Sequence, residues 1–182
     1  MSQSIVFLAG SPSTTSRSTL VARAVSAEAH AAGLRSVFWS LSDFDPADVL
    51  FGRGASPGVV RFVDEVKGAV GLVLATPVYK ATYTGSLKAI VDFIPPDALV
   101  DKPALGIATA RQAAHAVTVD QAYRSLFGFF KARALETLFF IDDELKASPE
   151  GELPAVATQK LRGAAKALAA AVNATARAGS GP

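Results

Sequence analysis

The sequence predicts an α/β fold in which helices cover both faces of a parallel sheet. Short apolar runs alternate along the chain with longer segments of helical periodicity, which is the pattern of repeated βαβ units. The runs are apolar at nearly every position, as strands buried on both faces are. Loops rich in serine, threonine or proline follow three of these runs. In such folds ligands bind at the carboxyl ends of the strands, so these loops are the candidate site.

The elements are predicted from apolar spacing and from the residues that begin and end helices. Strands are predicted at residues 4–9, 37–39, 72–75, 104–108 and 138–141. Thr76-Pro77 is expected to end the third strand, because proline has no amide to donate to a sheet. The predicted helices run from Leu20 to a stop at Gly33, then over residues 59–69, 85–94 and 115–131, and from Pro154 onward. Glycine and proline punctuate residues 43–58, which predicts an irregular segment.

Five parallel strands joined by right-handed crossovers favour the flavodoxin-like order 2-1-3-4-5. This order places the loops after strands 1 and 3 side by side, with the loop after strand 4 next to them. The three unusual loops follow these three strands, so the sequence predicts one ligand site where they meet. We predict a single domain over residues 1–177 and a flexible tail at 178–182.

Composition excludes several classes of function. Half of the 182 residues are hydrophobic and 19% are charged, as in a globular protein. The net charge of +2 comes from scattered basic residues, which argues against nucleic-acid binding. Without cysteine there is no disulfide, thiolate zinc site or cysteine nucleophile, and two histidines are too few to indicate a metal site. No apolar run reaches the about 18 residues of a membrane span, and no signal peptide is evident, so we expect a cytoplasmic protein.

The loop after the first strand predicts a phosphate cradle. Gly10 allows a tight turn, and the helix that follows presents free amides and the positive end of its dipole. The side chains expected to contribute are Ser11, Ser16, Arg17, Ser18 and Thr19. The alternative is that Ser16 or Ser18 only caps the helix. The loop matches neither the Walker A pattern nor Gly-x-Gly-x-x-Gly, so we expect one phosphate, as in a mononucleotide.

The loop after the third strand contains Pro77, Val78, Tyr79 and Lys80, and Thr84-Gly85-Ser86 then opens a helix. A proline-stiffened loop with tyrosines suits a flat ligand. The alternative is an ordinary strand-to-helix connection with exposed tyrosines.

Two segments resemble the NADPH-dependent FMN reductases of the flavodoxin-like fold. They are Leu8-Ala9-Gly10-Ser11-Pro12 with Ser16-Arg17-Ser18, and Ala75-Thr76-Pro77-Val78-Tyr79-Lys80-Ala81 with Gly85-Ser86-Leu87-Lys88. Ala108-Thr109, His115 and Val119-Asp120 extend the similarity over nearly the whole chain. Within this family the chain is most similar to reductases that supply reduced FMN to two-component alkanesulfonate monooxygenases.

The resemblance implies which residues hold FMN. Ser11, Ser16 and Ser18 would bind its phosphate, and residues 77–80 would line the isoalloxazine. The pyrimidine edge would face the loop of Thr109, Ala110 and Arg111, where the family usually has Gly-Gly in place of Ala110-Arg111. NADPH or NADH would pass a hydride to the flavin. No side chain is expected to act as a general acid or nucleophile, because the cofactor carries this chemistry.

Three other flavoprotein functions remain as alternatives, one of which is a flavin-binding module without catalytic activity. Of the other two, the first is a quinone, azo-dye or metal-ion reductase that keeps its FMN. The second is a flavodoxin-like electron carrier, which the net charge of +2 disfavours, because such carriers are usually acidic.

The helix at 116–130 is apolar around most of its circumference. An outer helix of a five-stranded sheet needs one apolar stripe, so a second stripe predicts a contact with another subunit. We therefore expect a dimer or tetramer that uses Phe127 and Phe130. Lys88 and Asp92 are expected to form an exposed pair one helical turn apart, and His115 to cap or pack at a helix start.

Overall fold

The computed structural model describes residues 4–13, 15–146 and 153–178. Its strands are β1 (Ser4–Ala9), β2 (Arg35–Ser40), β3 (Gly71–Pro77), β4 (Pro103–Ala110), β5 (Arg133–Ala134) and β6 (Leu138–Ile141). Its α-helices are α1 (Arg17–Ala31), α2 (Pro46–Leu50), α3 (Pro57–Gly68), α4 (Gly85–Val91), α5 (His115–Phe129) and α6 (Ala155–Ala178). Short 3₁₀ turns follow β2 and β6, at Leu41–Asp43 and Asp142–Leu145.

The strands form one parallel sheet in the order β2-β1-β3-β4-β5, with β6 also beside β4. This confirms the flavodoxin-like order predicted from the sequence. The fifth position is divided, because β5 pairs with Pro103 and Ala104 while β6 pairs with Ile107 and the residues after it. The Leu135 amide still donates to the Ala104 carbonyl at 2.8 Å, and the pairing with β4 resumes at Leu138. Only the second piece was predicted from the sequence, since two residues are too short to give a strand pattern.

Helices cover both faces of the sheet. On one face α1 and α6 pack against Phe7 and Val73, and on the other α3, α4 and α5 pack against Leu8 and Leu74. Every residue of β4 is buried. The near-continuous apolar runs of the sequence are therefore strands that have a core on each side.

Several element boundaries differ from the prediction, and one short helix was not predicted. β3 continues through Pro77, which lies opposite Thr109 in the ladder, and the next amide, that of Val78, donates to the Thr109 carbonyl at 2.8 Å. The proline is tolerated because it is the last residue of its strand. The segment predicted to be irregular contains α2, whose first turn the Asp45 carboxylate caps by accepting from the Ala47 amide at 2.7 Å. The helix predicted at 85–94 ends at Val91.

The predicted role of Phe127 and Phe130 as interface residues is wrong. Their side chains are 1% and 3% exposed, and both belong to the core beneath α5. The angular positions of Val119, Tyr123, Leu126, Phe127 and Phe130 place them on one stripe that faces the sheet of the same chain. The exposed large apolar residues of α5 are Val117 and Phe129.

The chain ends, as far as it is described, in α6. That helix includes Ala178, and the rest of the predicted tail, residues 179–182, lies outside the described residues. Among the residues described, no helix is both long enough and apolar enough to cross a membrane.

Candidate functional site

The loops after β1, β3 and β4 meet at one edge of the sheet. β1 and β3 pair up to Ala9 and Ala75, and β3 and β4 pair up to Pro77 and Thr109, so the three strands end at adjacent points. The predicted juxtaposition of the three unusual loops is therefore present.

The hydroxyl groups of the first loop gather at the start of α1. Ser11 is mostly buried and its hydroxyl accepts from the Ser13 amide at 3.1 Å. Ser16 occupies the N-cap position but its side chain makes no capping hydrogen bond. Its hydroxyl lies 2.8 Å from that of Ser18, which is fully buried. Since neither serine side chain caps the helix, both hydroxyls can donate hydrogen bonds to an anion at the positive end of the helix dipole.

Two further predicted residues of this loop lie beside the serines. The Arg17 guanidinium is 3.2 Å from the carboxylate of Asp142, just after β6, and the Arg17 side chain is half exposed. Its positive charge is therefore shared with Asp142. Thr19 lies in the first turn of α1 and is partly buried.

Gly10 allows the first loop to approach α4. A Cβ atom at this position would lie 2.4 Å from the Cβ of Leu87, closer than real side chains come. The Gly10 amide donates to the carbonyl of Ala75 at 2.8 Å. A glycine is required here because the backbone of the loop rests directly on a neighbouring helix.

The loop after β3 forms a tight two-residue turn. The Tyr79 amide donates to the Thr82 carbonyl at 3.0 Å, and the Thr82 amide donates back at 3.3 Å. Between them Lys80 and Ala81 have φ angles of 51° and 69°, in the left-handed region that favours glycine. Tyr79 is 50% exposed at the mouth of this turn. The backbone is strained where a ligand is expected, as is common at binding sites.

The loop after β4 meets the loop after β3 through its backbone. Thr109 and Ala110 are buried at the end of β4, and the Thr109 carbonyl accepts the Val78 amide described above. The Arg111 side chain is exposed. Of the three residues predicted in this loop, only Arg111 therefore offers its side chain to the surface.

Thr76 and Thr84 are site residues that the sequence analysis missed. Both are buried, and the Thr84 hydroxyl donates to the Gly10 carbonyl at 2.5 Å. The Thr84 amide donates to the Thr76 hydroxyl at 3.0 Å. The sequence signal at Thr84 was that of a helix start, and Thr84 is indeed the N-cap of α4, accepting from the Leu87 amide. A cap signal gives no indication of the second bond, to Gly10.

Other side chains near the site have ordinary roles. Lys88 and Asp92 form the predicted exposed pair, with 2.5 Å between the Lys88 ammonium and a carboxylate oxygen. His115 is the first residue of α5 and is partly buried, while Ala114 occupies the N-cap position.

A cavity of about 840 Å³ adjoins the first loop on the side of β2. It lies between this loop, residues 40–50 and the start of α4, and Ser11, Ser16 and Thr19 contribute to its wall. None of the predicted residues after β3 and β4 lines it. The cavity therefore reaches the loop predicted to hold a phosphate, whereas the loops predicted to hold the flavin ring form an open edge.

The sheet order, with a hydroxyl-lined loop at the head of α1, defines a protein of the flavodoxin-like class. Within that class, residues 4–146 match the family model of the NADPH-dependent FMN reductases, and the chain belongs to this family. The protein is therefore an oxidoreductase.

The chain is similar to curated and solved members over most of its length. It is 37% identical over 157 residues to an FMN reductase (NADPH) of Pseudomonas putida, covering 86% of this chain and 80% of that relative. It is 36% identical over 139 residues to an FMN reductase (NADPH) of Escherichia coli strain K12, covering 76% and 73%. The solved apo form of the NADH:FMN oxidoreductase EMOB superposes with a TM-score of 0.84 at 29% identity, covering 93% of this chain and 89% of that one.

Proposed function

We propose that the protein is an NAD(P)H-dependent FMN reductase that transfers a hydride from the nicotinamide to N5 of FMN. The reduced FMN is released in the cytoplasm to a flavin-dependent monooxygenase. FMN, when bound, supplies the hydride acceptor, so the protein contributes binding, orientation and electrostatics. One observation carries the proposal. In a chain of this family, the hydroxyl-lined start of α1, the strained turn after β3 and the loop after β4 lie together at one edge of the sheet.

The start of α1 is suited to the phosphate of FMN. The hydroxyls of Ser16 and Ser18 lie 2.8 Å apart in a buried position, and Ser11 lies on the same loop. Hydroxyl donors and free helix amides together bind a dianion without needing a nearby cation. This agrees with Arg17, whose charge is directed toward Asp142. Thr19 adds a further hydroxyl in the first turn.

The flavin ring is assigned to the turn after β3 and its junction with β4. Pro77 and Val78 lead into the turn, and the bond between the Val78 amide and the Thr109 carbonyl fixes the two loops against each other. Tyr79 presents an exposed ring, and its neighbour Lys80 is also exposed. We assign the backbone of Ala110, whose side chain is buried, to the pyrimidine edge.

Exposure at this edge supports exchange of ligands during turnover. Lys80 and Arg111 are exposed cations on two of the three loops, where they can attract the anionic dinucleotide. An open edge also allows reduced FMN to leave. We further propose a homo-oligomer, a dimer or tetramer, in which the exposed residues Val117 and Phe129 of α5 contact another subunit.

The test is oxidation of NADPH or NADH with free FMN as the acceptor, without oxygen. We expect many molecules of FMN to be reduced per protein, and gel filtration should separate the reduced FMN from the protein. Reduction of a single equivalent that stays bound would overturn the proposal of release. It would favour a reductase that retains FMN for a quinone, azo dye or metal ion. No oxidation of nicotinamide would favour an electron carrier.

A further inference from the structure

Thr84 lies at the junction between the phosphate loop, described at residues 10–13 and 15–16, and the ring loop, residues 77–83. Its hydroxyl donates to the Gly10 carbonyl at 2.5 Å and accepts from the Leu87 amide at 3.1 Å. The Ser86 hydroxyl lies 3.2 Å from the same oxygen. A hydroxyl has one hydrogen to donate and two lone pairs that accept. The Thr84 hydroxyl can therefore donate to Gly10 while it accepts from both Leu87 and Ser86.

The backbone of Thr84 closes the ring loop. Its amide donates to the Thr76 hydroxyl at 3.0 Å, and that hydroxyl donates to the Pro77 carbonyl at 2.8 Å. Thr76 is 0% exposed and Thr84 is 2% exposed, so water does not compete for these bonds. The two threonines therefore hold the beginning and the end of the ring loop together.

The phosphate loop is held to the same point. The amide of Gly10 donates to the Ala75 carbonyl at the end of β3. The Gly10 carbonyl accepts from the Thr84 hydroxyl and, at the longer distance of 3.3 Å, from the Ser86 hydroxyl, both at the start of α4. There is no room for a side chain at Gly10, because Leu87 fills the space. The backbone of the phosphate loop cannot shift here without moving the first turn of α4, and that turn ends the ring loop.

We propose that Thr84 is a positioning residue that couples the two loops, so that an anion bound at the head of α1 strengthens binding of the flavin ring. The inference rests on the proposed function, since it assigns the phosphate and the ring of FMN to these loops. The physical reason is that strained backbone, as at Lys80 and Ala81, persists only where its surroundings hold it. A ligand that orders the phosphate loop also orders the ring loop through Thr84, and the effect is reciprocal.

The coupling can be measured with the two halves of the ligand as separate molecules. Lumiflavin carries the ring without ribityl or phosphate, and inorganic phosphate is the anion. The dissociation constant of lumiflavin is measured by fluorescence quenching with and without saturating phosphate, at an ionic strength held constant with chloride. In the natural protein we expect phosphate to tighten lumiflavin binding about fivefold or more.

Substitutions at Thr84 separate coupling from stability. Thr84→Val keeps the shape but removes the shorter of the two hydroxyl bonds to Gly10, and should reduce the effect of phosphate on lumiflavin at least twofold. Thr84→Ser restores the hydroxyl and should restore at least part of the effect. Thr175→Val is the control, because Thr175 bonds the Ala171 carbonyl within α6, away from the site. If Thr84→Val does not fold, Thr76→Val removes the bond to the Thr84 amide and should also reduce the effect.

Two results would overturn the coupling. One is an equal phosphate effect in the natural protein and the folded valine variant, and the other is no phosphate effect in the natural protein. Either result, in a protein that still reduces FMN over many turnovers, removes this inference and leaves the proposed function intact. Failure to bind FMN at all would instead overturn both.

Discussion

Removing the paired hydroxyls at the head of α1 should separate recognition of the phosphate from recognition of the flavin ring. In the structure the Ser16 and Ser18 hydroxyls are 2.8 Å apart and buried. A hydroxyl that donates to a phosphate contributes about 1.5–3 kcal/mol. Ser18→Ala loses one such bond in the complex, but it also loses the serine pair in the free protein, which is worth about 0.5–1.5 kcal/mol.

The difference between these two energies sets the expected loss of affinity. A net cost of about 1–2 kcal/mol corresponds to a dissociation constant for FMN about 5- to 30-fold higher. The affinity for riboflavin should change less than about twofold, because riboflavin has no phosphate to receive the bond. Titration of flavin fluorescence with Ser18→Ala, Ser11→Ala and the double variant measures both constants.

Ser36→Ala is the matched control for this series. The Ser36 hydroxyl is buried at the start of β2, and it has no hydrogen-bond partner among the described residues. Its removal should leave FMN affinity unchanged and should not lower the free energy of unfolding. If Ser18→Ala weakened FMN and riboflavin equally, or if it changed neither, the assignment of this loop to the phosphate would be refuted.

Four further predictions concern the packing of Gly106, the buried hydroxyl of Tyr123, assembly and the dinucleotide. Gly106→Ala should lower the free energy of unfolding, measured by urea denaturation, by about 1–3 kcal/mol, because the new Cβ would lie 2.3 Å from the Tyr123 ring. An unchanged free energy of unfolding would contradict this prediction. Tyr123→Phe should lower the free energy of unfolding by about 1 kcal/mol in the same urea measurement, because the buried hydroxyl donates to the carbonyls of Leu74 and Ile107. Phe130→Glu should unfold the chain, whereas Phe129→Glu, at a side chain 65% exposed, should leave it folded and shift sedimentation toward smaller species. If Phe129→Glu sedimented at the same rate as the natural protein, the proposed interface would be contradicted. Arg111→Gly should raise the Michaelis constant for NADPH and leave the affinity for FMN unchanged. If the substitution instead lowered the midpoint potential of bound FMN, Arg111 would be a residue that stabilises the reduced flavin.

The sheet could be predicted from the sequence because its signal is strong and local. Four of its strands are apolar runs long enough to be distinguished from loops, and the alternation with helices restricts the order in which they pair. β5 could not be predicted, since its two residues gain their strand geometry only from pairing with Pro103 and Ala104. α2 was missed because the glycines and the proline that follow it at residues 52–58 outweighed the Asp45-Pro46 signal of a helix start.

The error at α5 has a different cause. Its many apolar residues were read as two stripes, but their angular spacing places Phe127 and Phe130 on the same stripe as Tyr123. Counting apolar residues overestimates the surface left for a partner, whereas angular positions separate the buried face from Val117 and Phe129.

The candidate site was predictable in its location but not in its connections. A hydroxyl-rich loop and a proline-stiffened loop indicate where a phosphate and a ring can bind, because each signal lies within a few consecutive residues. The left-handed turn at Lys80 and Ala81 could not be predicted, since neither residue favours that conformation.

The bond between Thr84 and Gly10 joins residues 74 positions apart, and only the fold brings them together. Serine offers the same donor, so the hydroxyl alone does not account for threonine here. The branched Cβ restricts rotation about χ1, which holds the hydroxyl toward Gly10 while it also caps α4. Thr84→Ser should therefore preserve the chemistry of the link with less restriction of its geometry. A phosphate effect in the serine variant between those of the natural and valine proteins would assign the difference to this stiffness.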